Sequence, residues 1–62
     1  MEPQEVLKEE ILKLLENDYN QLKERIEEML KTKNLDKKKL GEVYFFTQRI
    51  DMELYRLILS VT

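Results

Sequence analysis

The chain has 62 residues, a net charge of −2, 39% charged side chains, and no cysteine or histidine. A chain this short buries only about 60% of its unfolded surface. The missing residue types exclude disulfides, thiolate metal sites, cysteine nucleophiles and the commonest general base. Association with another copy or another protein is the remaining way to gain a core.

One glycine, one proline and an abundance of Glu, Lys and Leu predict an all-α chain. The first element is a long helix over about residues 3–33. Pro3 suits a first helical turn, and Glu2 and Glu5 suit the positive end of its dipole. From Leu12 the apolar positions step by three and four through Leu15, Tyr19, Leu22, Ile26 and Met29, a heptad seam. Leu7, Ile11 and Leu14 widen that stripe, and Glu9–Lys13 and Glu27–Lys31 are supporting pairs.

The stretch TKNLDKKKLG breaks the pattern. Asn34 is the expected left-handed residue ending the first helix, with Leu35 folding back as the apolar residue behind it. Asp36 is the expected N-cap of the second helix. Three lysines then sit poorly with that helix's dipole, so fraying is expected up to Gly41. A turn of about residues 34–36 makes the two helices antiparallel neighbours in a single domain spanning 1–62.

The second helix, about residues 37–59, carries a seam of Leu40, Val43, Thr47, Ile50, Leu54, Leu57 and Val61. At about 100° per residue, Tyr44, Phe45, Met52, Tyr55 and Leu59 fall in a second apolar sector. A narrow polar strip holds Glu42, Arg49, Glu53, Arg56 and Ser60. A hairpin covers the first sector and not the second, and exposed sectors of this composition mark interaction surfaces. Two occupants remain open: a second hairpin, giving a homodimeric four-helix bundle, or a dedicated heterologous partner. The halves differ in charge. Residues 1–31 hold nine acids and five bases, and residues 32–62 hold four acids and six bases.

Gln48 and Asp51 lie between the two sectors, with Tyr44 four residues before Gln48 and Tyr55 four after Asp51. Asp51 either fixes register at an interface edge or, with Gln48, reads a partner's polar groups. The expected partner-binding residues are therefore Tyr44, Phe45, Gln48, Asp51, Met52, Tyr55 and Leu59.

The stretch EVYFFTQRID (residues 42–51) resembles the signature of the small sporulation aspartyl-phosphate phosphatases, through Glu42, Val43, Thr47, Gln48, Ile50 and Asp51. Thr47 stands at that family's serine, Glu53 at a usual aliphatic and Leu57 at a usual tyrosine. The resemblance implies a helical hairpin that binds a phosphorylated response regulator, with Gln48 and Asp51 entering the regulator's active site. A second resemblance, in Leu35–Asp36 and Glu53–Arg56, is to the plasmid repressor-of-primer protein, a dimer of helical hairpins that binds RNA. The acidic first helix opposes carrying that RNA binding over.

The remaining features give no site. The Lys37–Lys39 run lacks a glycine-rich cradle, and Glu24, Glu27 and Glu28 lack a histidine or an opposing carboxylate helix. No nucleophile stands with a base, so free-standing catalysis, metals and cofactors are not expected. No apolar run reaches the ~18 residues of a membrane span, and no basic leader precedes an apolar core. The expectation is a cytoplasmic, regulatory, homodimeric interaction module that binds neither nucleic acid nor membrane.

Overall fold

The structure is a computed structural model that describes residues 3–61, with side-chain surroundings from residue 7 onward. Glu2 and the side chain of Glu5, expected at the first helix's dipole, lie outside the described residues. Helix α1 runs over Pro3–Thr32 and helix α2 over Lys37–Val61. The two pack against each other along their lengths as an antiparallel hairpin 47 Å long. A helix of α1's length spans about 45 Å, so the molecule is one helix long and two helices wide.

The turn follows most of its expected chemistry, with one substitution of roles. Lys33, and not Asn34, takes the left-handed conformation, at φ 55°. Its N–H donates to the carbonyl of Met29 at 2.8 Å, the single closing bond of an αL cap. Leu35 does not fold back and stays exposed. Asp36 caps α2 as expected, because its Oδ1 accepts from the N–H of Lys38 at 3.0 Å. With the cap in place α2 is helical from Lys37 through Gly41, where fraying was expected. Lys39 also leans back across the turn to pair with Glu28.

Register between the helices is set by charge. Among the described residues, three ion pairs cross the hairpin: Asp18–Arg49, Arg25–Glu42 and Glu28–Lys39. The paired residue numbers (18 with 49, 25 with 42, 28 with 39) add to 67 each time, which is the signature of one unbroken antiparallel register. A slip by one helical turn would separate all three pairs together.

The apolar seams are rotated from their expected place. Residues turned toward the other helix are Ile11, Leu15, Asp18, Leu22, Arg25 and Met29 on α1, and Val43, Phe46, Ile50, Glu53 and Leu57 on α2. Leu15, Leu22, Met29, Val43, Ile50 and Leu57 belong to the expected seams. Leu12, Tyr19, Ile26, Leu40, Thr47, Leu54 and Val61 do not face inward, and all are exposed. Among the described residues, Ile11 is the one hydrophobic side chain that is fully buried, at 6% exposure. The hairpin by itself therefore holds very little core.

The Asp36 cap starts α2 immediately after the turn, so its loss should be felt across the hairpin. Asp36→Ala should lower unfolding free energy by about 1 kcal/mol, whereas Asp36→Asn should cost a few tenths. Chemical denaturation followed by circular dichroism measures both, and an unchanged midpoint for the alanine variant would contradict the capping role.

Candidate functional site: two exposed faces and a buried acid pair

Two exposed flanks arise from the way the helices meet. On the first, Leu12, Leu15, Glu16 and Tyr19 of α1 and Ile50 of α2 line an open trough of about 470 Å³. By helical phase, Ile26 on α1 and Thr47, Leu54 and Ile58 on α2 turn to the same side. Tyr19, Ile26, Leu54 and Ile58 are each more than a third exposed. The two heptad seams legible in the sequence thus converge on one flank of the hairpin and leave it greasy.

The opposite flank is polar and cross-linked. The Nε of Arg49 donates to Asp18 Oδ2 at 3.0 Å, and the Arg49 guanidinium lies 5.7 Å from the centre of the Phe45 ring. Arg25 donates to the carbonyl and to Oε1 of Gln21, at 3.1 and 2.8 Å, and pairs with Glu42 at 3.5 Å. Its guanidinium stacks 4.8 Å over Phe46, which meets Phe45 edge-on at 5.3 Å. Cation–aromatic contacts of this kind hold a guanidinium flat against a ring while its edges bond oxygen.

Between the flanks lies an acid pair that the sequence reading missed. Asp18 is 1% exposed and Glu53 is 6% exposed, and the two are hydrogen-bonded to each other. Burial, first, and then the hydrogen bond and the charge of Asp18 push the Glu53 carboxyl up to about 7, against the pull of Arg49 and Arg56. Asp18 already accepts from Arg49, so a protonated Glu53 is the donor between the two acids. Among the described residues, Glu53 Oε1 finds no hydrogen-bond partner. Glu53 was placed on the solvent strip of α2, and Asp18 was assigned no role. The available signal was the heptad spacing 11, 15, 18, 22, 25, 29, which runs through charged residues and so does not look like a seam.

The expected partner-binding residues lie on the outer side of α2. Tyr44, Phe45, Gln48, Asp51, Met52, Tyr55 and Leu59 are all exposed in the hairpin. By phase they share one continuous sector on the outer side of α2, running from Asp51 and Tyr44 next to the trough flank, through Tyr55, Gln48 and Leu59, to Met52 and Phe45 next to the opposite flank. The Thr47 hydroxyl donates to the carbonyl of Val43 at 2.8 Å. Among the described residues no three acidic side chains converge in a manner that could hold a metal ion. None of the helices is long and apolar enough, over those residues, to cross a membrane.

The raised Glu53 pKa gives a pH dependence of unusual sign. A group that binds its proton more tightly when folded stabilises the fold fully below its ordinary value of 4.5, and that contribution is lost as pH rises through about 7. The loss is on the order of 3 kcal/mol. Glu53→Gln keeps a donor for Asp18 without the titration. The stability of the wild type relative to this variant should therefore fall between pH 5 and pH 8 in parallel denaturation series. A difference that stays constant over that range would contradict the buried proton.

The family model that matches the chain is that of Sulfolobus spindle-shape virus 1, protein D-63, over residues 3–59. No solved structure gives a significant match. This corrects both resemblances drawn from short stretches. The likeness to the sporulation phosphatases rests on residues 42–51, and that to the repressor-of-primer protein on two shorter fragments, whereas the family match runs across both helices. In the fold the ten-residue stretch is ordinary helix. Glu42 bonds Arg25, Val43 faces α1, and Gln48 and Asp51 are simply exposed. The regulator-reading role of Gln48 and Asp51 falls with the resemblance that implied it. The chain belongs to the family of protein D-63 of Sulfolobus spindle-shape virus 1.

Proposed function

We propose that this protein is a homodimeric four-helix bundle acting as a regulatory protein–protein interaction module. The observation that carries the reading is the trough flank. Leu12, Leu15, Tyr19 and Ile26 of α1 and Ile50, Leu54 and Ile58 of α2 face one side of a hairpin whose described residues bury a single hydrophobe completely. Apolar surface of this extent is worth about 25 cal/mol per Å² when covered, and a 62-residue chain without cysteine has no disulfide to replace that gain. A second copy offers the same flank, with the same heptad spacing. A cytoplasmic setting belongs to the same reading, because nothing in the proposed fold relies on a disulfide.

Charge favours one stacking of the two hairpins. The turn end carries Lys31, Lys33, Lys37, Lys38 and Lys39 within nine residues, and the open end carries Glu9, Glu10 and Glu16 on α1. Turns at the same end would crowd ten lysines together. Turns at opposite ends set each lysine-rich turn over the partner's acidic end. In that stacking α1 runs antiparallel to its copy.

Two measurements test the proposal. Leu54→Asp places a charge on the flank, which is exposed in the single hairpin, so it should abolish self-association and most helicity with it. A helical, self-associating Leu54→Asp protein would refute the interface. Asn34→Cys, labelled at the turn, reports the stacking by energy transfer. Opposite turns predict a separation of about 40 Å, whereas same-end turns would give efficient transfer at close range.

A further inference from the structure

Resting on the dimer reading, the outer side of α2 remains open once the trough flank is covered. Phe45, Arg49, Met52, Arg56 and Leu59 step by four and three, which lines them up as one heptad stripe on that side. Apolar and cationic side chains alternate along it. Met52 is 65% exposed, and Phe45 and Leu59 are more than half exposed. Arg49 gives its Nε–H to Asp18 and is still 44% exposed, and Arg56 is exposed. Lys38 continues the stripe seven residues before Phe45. Of the acids nearest the stripe, Glu42 pairs with Arg25, Glu53 is buried against Asp18, and Asp18 takes the Nε–H of Arg49 while the rest of that guanidinium stays exposed.

We infer that this stripe is a docking seam for a partner's amphipathic helix whose own stripe alternates apolar and acidic residues at heptad spacing. The spacing selects a helix, since a seam of 4-3-4-3 steps is followed only by another helix packing alongside at a shallow angle. The charge selects acids. Arg49 and Arg56 lie seven residues apart, so carboxylates seven residues apart on the partner face both. Between them, Phe45, Met52 and Leu59 supply the apolar contact, and Met and Phe are side chains over-used at such surfaces. From Lys38 to Leu59 the seam is about 32 Å long, enough for three heptads of partner. The two copies in a dimer present two such seams.

The test uses the full-length protein and a synthetic three-heptad helical peptide with leucine and glutamate alternating along its stripe. A second peptide carries lysine at the glutamate positions. Fluorescence anisotropy should show the glutamate peptide binding, more weakly at high salt, and the lysine peptide not binding. Arg56→Glu should weaken binding about tenfold, and Met52→Glu should abolish it, with helicity and mass in solution unchanged in both variants. Equal binding of both peptides, binding of neither, or binding untouched by Met52→Glu would overturn the inference. So would capture of the protein by anionic vesicles in place of the peptide, or association beyond a dimer that Met52→Glu removes. Failure of the dimer reading is distinguishable: a monomeric protein would bind the peptide on the trough flank, and Leu54→Asp rather than Met52→Glu would then remove it.

Discussion

The hydrogen-bonded group of Arg49, Asp18 and Glu53 governs how this hairpin is put together. Asp18 and Glu53 occupy seam positions that a simple coiled coil would give to leucine, and Arg49 reaches Asp18 from the exposed edge of the contact. Buried acids are tolerated only when paired or protonated, and here both devices are used: Asp18 takes the arginine, and Glu53 keeps a proton. Replacing such a group with apolar residues is often neutral or stabilising, so its contribution is better sought in specificity. Together with Arg25–Glu42 and Glu28–Lys39 it ties α1 to α2 in one register.

Placing charge inside the hairpin has a consequence for its outside. With Asp18, Arg25 and Glu53 turned inward, each helix is rotated so that much of its apolar seam points to the flank. Leu12, Tyr19, Ile26 and Leu54 are exposed for this reason, although their spacing belongs to a core. The hairpin thus has two unlike sides: a polar, self-bonded flank on one and an exposed hydrophobic flank on the other. The outer stripe of α2 lies away from the trough and shares Arg49 and Phe45 with the polar flank.

The fold was legible in the sequence and the pairing of its faces was not. Helix lengths, the short turn and the Asp36 cap follow from local chemistry that acts within a few residues, and each was readable. Asn34 against Lys33 at the left-handed position was a near miss, since the expected residue type yielded to the residue where the helix happened to end. The seams of Leu12 to Met29 and Leu40 to Val61 were correctly seen as apolar stripes, but of them only Leu15, Leu22, Met29, Val43, Ile50 and Leu57 turn toward the other helix, and the rest face outward. Periodicity reports which residues share a face and not what that face meets. Asp18 and Glu53 were overlooked because a charged residue in isolation reads as surface. Only the register of the folded hairpin brings them together with Arg49. The short stretch 42–51 misled for a related reason: a few helical residues at three- and four-residue spacing recur in unrelated hairpins, and the match over residues 3–59 outweighs them.

The central claim is that one hairpin carries half of a core and a second copy supplies the rest. Its most direct test is the mass of the unmodified protein by sedimentation equilibrium, from about 1 to 100 micromolar, with helicity recorded at each concentration. The account predicts twice the 7.6 kDa chain mass, with helicity falling as dilution separates the copies. A mass of one chain across the whole range, with full helicity retained, would contradict it.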